Sequence, residues 1–168
     1  ATSFKITGST TQTAGSSQTI TITAQDQYGN TATSYSGSKN ITFTGANAST
    51  NPSTAPKVES INFGSSTSLT FTNGVATASM QLYKAETATV QATDGTVSSS
   101  GTDNLEVLVS AASSAKLIFK QQPVNTVAGA NISPAVTAEI QDTYGNKTSG
   151  TNQVSIYIST NPSSGTLS

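Results

Sequence analysis

Apolar residues recur at every second position along short stretches of the chain. Phe4 and Ile6 lie two apart, as do Ile20, Ile22 and Ala24, and again Ile41 and Phe43. After an irregular stretch the alternation returns at Leu69 and Phe71, from Val75 to Leu82, from Thr87 to Ala92 and from Leu105 to Val109. Successive side chains of a strand point to opposite faces, so a period of two with one apolar face predicts half-buried strands. Turn-forming residues punctuate the runs: Gly29-Asn30, Asn51-Pro52, Asn73-Gly74 and Asp94-Gly95. Asn73-Gly74, set between two alternating runs, predicts a β-hairpin. No window holds a 3.6-residue period over the length of a helix.

The pattern then starts again. QDQYGN (25–30) returns as QDTYGN (141–146), and aligning the two brings further blocks into register. TAGSSQTITITAQDQYGN (13–30) lies over VAGANISPAVTAEIQDTYGN (127–146), SFKIT (3–7) over KLIFK (116–120), and STNPST (49–54) over STNPSS (159–164). Matched blocks in one order mean two tandem copies of one domain. The boundary falls in the small-residue stretch SAASSA (110–115), which divides the chain into a complete repeat over 1–110, a linker over 111–114 and the N-terminal part of a second repeat over 115–168. Seven or so short strands in about 110 residues predict an immunoglobulin-like β-sandwich. The fold class expected is thus all-β, two tandem sandwiches with the second incomplete. Its expected strands, near Leu117–Phe119, Ala135–Ile140 and Val154–Ile158, keep alternating apolar faces with too little sheet to cover them. We therefore expect the 168 residues to belong to a longer polypeptide, the alternative being that another chain donates the absent strands.

Composition narrows the chemistry. The chain has no Cys, His, Trp or Arg, and only 9% of its residues are charged. The net charge is −1 and the seven lysines are scattered, so no basic patch exists to neutralise nucleic-acid phosphates. No apolar run is long enough to cross a membrane as a helix. Abundant Ser and Thr with little charge read as an extracellular, secreted or cell-surface segment, and weak mutual repulsion suits a protein that works anchored or assembled.

The blocks quoted above, K-L-x-F, T-A-G, V-T-A-x-x-Q-D-x-Y-G-N and N-P-S-S-G-T-L-S, resemble the immunoglobulin-like repeats of large bacterial surface proteins, including the invasin/intimin-type adhesins. NGVATASMQLYKAETATVQAT (73–93) is similar to the stretch that precedes the last strands of such repeats, except that Glu86 stands where they often place Gly. The resemblance implies an adhesive or surface-array stalk, with no catalytic site in these domains and neighbouring repeats as the first partners. Self-assembly or a cell-surface ligand is implied as a further partner. Two alternatives stay open: a glycan- or receptor-binding module working through loops at one end of the sandwich, and an accessory domain of a secreted hydrolase.

The hexapeptide has two readings of its own. Asp26 and Asp142 each begin a turn in which Gly29 or Gly145 supplies positive φ and Asn30 or Asn146 tolerates the left-handed region. Each carboxylate is expected to accept the N–H groups two and three residues on, and Tyr28 and Tyr144 to lay their rings against the end of the sandwich. The competing reading is a Ca²⁺ site built from Asp26, Asp94, Asp103 or Asp142. Calcium takes six to eight oxygen ligands, for which eight acidic residues spread over two domains are thin. No other cofactor is indicated.

Two more patterns carry candidate chemistry. Ser36 with Lys39, and Ser113 with Lys116, match the Ser-x-x-Lys spacing of penicillin-recognising enzymes. That chemistry needs a helix start and companion motifs that this sequence lacks, so no catalytic residue is assigned. Asn40, Asn47, Asn131 and Asn146 head N-x-Ser/Thr sequons, acceptors for a glycan where the source has the machinery.

Overall fold

In a computed structural model of the chain, which describes residues 1–151 and 153–160, the fold is all-β. Ten strands build the first domain: β1 Ser3–Thr7, β2 Thr11–Thr13, β3 Ser17–Gln25, β4 Gly37–Thr44, β5 Lys57–Val58, β6 Ile61–Asn62, β7 Ser66–Phe71, β8 Val75–Gln81, β9 Thr87–Thr93 and β10 Leu105–Ser110. A single 3-10 turn, Gly101–Asp103, precedes β10. One sheet runs in the order β1-β3-β8-β5-β6 and the other β2-β10-β9-β4-β7. All the pairings are antiparallel except that of β2 with β10.

The alternating residues explain why two sheets face each other. In the first sheet Phe4 pairs with Ala24, Ile6 with Ile22, and Ile20 with Ala78, all of them buried. In the second sheet Ile41, Phe43, Leu69, Phe71, Val90 and Val107 turn inward to meet them. The longer strands hide one face and wet the other, as in a sandwich core. Phe4 and Phe71 stack with centroids 6.0 Å apart, and Tyr35 sets its ring edge-on to both, at 5.5 and 4.9 Å. The Tyr35 hydroxyl bonds the Asp94 carboxylate at 2.5 Å, closing one end of the core with a polar tie. Burial first, and then the bond to Asp94, push the Tyr35 phenol above its ordinary pKa.

The hairpin expected at Asn73-Gly74 is a correction. A tight turn does form there, with Asn73 at φ 50° and Gly74 at φ 84°, and Thr72 and Val75 exchange backbone hydrogen bonds of 2.9 and 3.1 Å. The strands it joins then part, β7 pairing with β4 and β8 with β3 in the opposite sheet. Leu69 and Phe71 on one side, and Ala76, Ala78 and Met80 on the other, all face the same core. The turn therefore carries the chain across the core instead of along one sheet.

Beyond the linker, β11 Lys116–Gln121 and β12 Thr137–Gln141 form a two-stranded antiparallel sheet. The strand expected near Val154–Ile158 is absent, because no neighbouring strand pairs with this segment among the described residues. Leu117, Phe119, Val154 and Ile156 stay about half exposed, around an open groove of about 300 Å³. The repeated block STNPSS (159–164) lies mostly outside the described residues.

Candidate functional site at the domain junction

β3 leads straight into the first hexapeptide and β12 into the second, so each copy hangs nearly the same six residues from the end of a strand. The internal geometry is nearly the same in both. Asp26 Oδ1 accepts the N–H groups of Tyr28 and Asn30, each at 2.9 Å, and Asp142 Oδ1 accepts those of Tyr144 and Asn146 at 2.9 and 2.8 Å. The Asn side chain donates to the second carboxylate oxygen at 3.2 Å in the first copy and 2.8 Å in the second. The second backbone donor is thus Asn30 or Asn146, four residues on, where the glycine was expected. The Gly29 and Gly145 N–H groups instead close the turn onto the Asp main-chain carbonyls at 3.1 and 3.3 Å. Both glycines need φ near +85°, a region costly for any residue with a Cβ.

The surroundings differ entirely. Tyr28 is 80% exposed, against the expectation that its ring would cover the sandwich end. Asp142 has no exposed surface, and Asn146 and Gln141 are buried. The far end of the first domain holds Asn146. The Asn146 side chain accepts the Ala85 N–H at 2.8 Å and donates to the Tyr83 carbonyl at 2.8 Å, both in the loop between β8 and β9. Asp142 Oδ2 accepts the Ala112 N–H of the linker at 2.9 Å. The Tyr144 carbonyl accepts the Asn51 N–H at 3.2 Å, and the Lys116 ammonium donates to the Asn51 carbonyl at 2.5 Å. The Tyr144 ring sets edge-on to Tyr83 at 5.1 Å and lies over Gly15. A Cβ at Gly15 would stand 2.6 Å from two ring carbons of Tyr144, so only glycine leaves room for that ring.

The electrostatics follow from these contacts. Burial alone would raise the pKa of Asp142. The Asn146 amide and the N–H groups of Ala112, Asn146 and Tyr144 outweigh it, and the carboxyl is held below its ordinary value. For Asp26 the Asn30 side chain comes first and the Tyr28 and Asn30 N–H groups second, again lowering the pKa. Nearby, Glu86 ties down the loop after β4. Its carboxylate accepts the Asn47 N–H at 2.7 Å and side chain at 2.9 Å and pairs with Lys84 at 3.1 Å.

The other candidate residues lie apart from one another. Asp94 caps its own turn by accepting the Thr96 and Val97 N–H groups at 2.8 and 2.7 Å, and Asp103 belongs to the 3-10 turn. Among the described residues no three acidic side chains gather in one place. With Asp26 and Asp142 satisfied by N–H donors, EDTA should leave the melting temperature of the chain unchanged. A fall of several degrees, restored by Ca²⁺, would assign these carboxylates to a metal instead.

The Ser36 hydroxyl donates to the Thr33 carbonyl at 3.2 Å and accepts the Asn73 N–H, while the Lys39 ammonium sits 4.9 Å from the centroid of the Tyr35 ring. The Lys116 ammonium is spent on Asn51 and Ser113 is exposed. Of the four sequons, Asn40, Asn47 and Asn131 are exposed. Asn146 is not, and its amide nitrogen, already donating to Tyr83 and Asp142, has no room for a glycan in this arrangement.

A solved structure of a surface layer protein is among those similar to this chain. It is "Structure of surface layer protein SbsC, domains 1-6", at 19% identity and a TM-score of 0.37, covering 85% of this chain and 16% of that one. The chain thus spans about a sixth of the length of that structure. No protein-family model and no curated protein sequence matches the chain.

Sequence reasoning named the loop and missed its receptor: Gly15, Asn51, Tyr83, Ala85 and Ala112. A signal was present. TAG (13–15) and STNPST (49–54) recur in register with the hexapeptide, and both lie at this junction.

Proposed function

We propose that this segment is a non-catalytic structural unit of an extracellular, repeat-built surface protein, a spacer that holds consecutive sandwich domains at a set angle. The observation that carries this reading is the burial of Asp142 beside the linker and of Asn146 against the β8–β9 loop of the first domain. A flexible tether between independent domains has no use for a fully desolvated carboxylate. An ionised group is expensive to bury unless it is fully hydrogen-bonded, as this one is by the N–H groups and Asn146 amide of its own turn and by the linker. The tandem repeat, the low charge and the sequence resemblance to bacterial surface repeats support the same reading.

Residual dipolar couplings measured on the whole chain test it. The couplings of β3, β8 and β9 and those of β11 and β12 should fit one alignment tensor. Two tensors of clearly different magnitude would mean that the domains tumble apart and that the segment is a tether.

A further inference from the structure

We propose that the first hexapeptide, residues 25–30, is itself a docking plug for the end of another sandwich domain of this same kind placed ahead of residue 1. The occupant we infer is a face equivalent to the one that Gly15, Asn51, Tyr83 and Ala85 present to the second hexapeptide.

The loop is already in its docked shape. All five hydrogen bonds within residues 142–146 have counterparts in residues 26–30, including the Asp26 N–H to the Asn30 carbonyl at 2.8 Å beside 2.9 Å in the second copy. An unstructured loop would lose conformational entropy on docking, and this one has already lost it. The groups that make contact in the second copy are present in the first and face solvent. Tyr28 offers an aromatic ring and a carbonyl where Tyr144 meets Tyr83, Gly15 and Asn51. Asn30 is exposed where Asn146 takes the Ala85 N–H and the Tyr83 carbonyl. Asp26 Oδ2 bonds its own Asn30, as Asp142 Oδ2 bonds Asn146, and retains the capacity that Asp142 uses for the linker N–H.

Register agrees with this assignment. The Thr2 N–H bonds the Gln25 carbonyl as the Ala115 N–H bonds that of Gln141, so Thr2 corresponds to Ala115. The counterpart of Ala112 then falls two positions ahead of Ala1, where a linker arriving from a preceding domain would run. Ser3 stands where the second copy has Lys116, so the lysine bond to Asn51 has no equivalent. Plug and receptor also lie at opposite ends of β3, whose nine residues span about 30 Å. A surface that meets a different surface of its neighbour makes a head-to-tail contact, which can be repeated from one domain to the next along a chain. The inference rests on this geometry and not on where the protein resides.

The test extends the chain instead of cutting it. Residues 1–113 are fused directly ahead of Ala1 of the full chain, which puts the added Ala112 two positions before Ala1. Tyr28 of the added copy is replaced by Phe so that one Tyr28 remains. Hydroxyl-radical labelling followed by mass spectrometry then reports its accessibility. We expect Tyr28 to lose several-fold in labelling relative to the unextended chain and to approach Tyr144 in the same molecule. Asp26→Ala in the middle domain should return that labelling to its original rate while Tyr144 stays protected. Equal labelling of Tyr28 with and without the added domain, with Tyr144 protected in both, would overturn the proposal. So would protection that survives Asp26→Ala.

Discussion

Phe71→Ala will lower the unfolding free energy of the first domain by about 3–5 kcal/mol, the usual cost of emptying a phenylalanine site in a close-packed core. The ring is 1% exposed and sits between Phe4 and Tyr35. Its removal leaves Phe4 without its stacked partner and Tyr35 without the surface it meets edge-on. Relaxation is limited, because the Tyr35 hydroxyl is tied to Asp94 and cannot follow the collapsing core without giving up that bond. Urea denaturation read by far-ultraviolet circular dichroism measures the loss. A change under 1 kcal/mol would mean that β4 and β7 do not cover the core as described. The conservative Phe71→Leu keeps most of the volume and should lose far less.

The same residues show what a sequence discloses about such a fold. Phe4, Ile6, Ile20, Ile22, Ile41, Phe43, Leu69 and Phe71 were legible as strand positions because each strand covers the core on one side only, and burial then imposes period two. β2, β5 and β6 were not, being two or three residues long with at most one buried side chain each. In β2 that residue is Gln12, whose amide reaches the Ser16 and Met80 carbonyls. A polar residue buried through long-range hydrogen bonds leaves no apolar trace. Nor does period two say which sheet a strand joins, so the turn at Asn73-Gly74 read as a hairpin although its strands separate.

The hexapeptide divides along the same line. Its turn is made of contacts within six residues, so it could be read from Asp, Gly and Asn alone. Its environment comes from Gly15, Asn51, Tyr83, Ala85 and Ala112, distant in sequence, and the two copies look alike until those contacts are known. Repetition of TAG, STNPST and QDxYGN signalled a repeated domain. The structure adds that the first two blocks supply part of a receptor and the third the plug, so one junction accounts for all three.

Asp142→Ala and Asp26→Ala put that distinction to an experiment in which the local chemistry is held constant. Each substitution removes a carboxylate that organises the same turn through the same donors. At Asp26 the freed N–H groups lie at an exposed loop and water replaces the lost acceptor, so only a small loss of stability is expected. At Asp142 the Ala112 and Asn146 donors lose a charged acceptor in a site with no access to water, and the docked arrangement should weaken by about 2–4 kcal/mol. Amide exchange at Ala85 and Ala112 should accelerate accordingly, while exchange at Ile22 and Val90 in the core of the first domain stays slow. Acid should reproduce the effect in the unaltered chain. A carboxyl whose folded pKa is depressed contributes stability that is fully present above the unfolded value of about 4. That contribution is lost as pH falls through the lower folded value. Protection of Ala85 and Ala112 should therefore hold from neutrality down to about pH 4 and decline below it, ahead of the core amides. Equal effects of the two substitutions, or protection that ignores acid until the whole domain unfolds, would mean that the buried carboxylate caps a turn and does not hold the domains together.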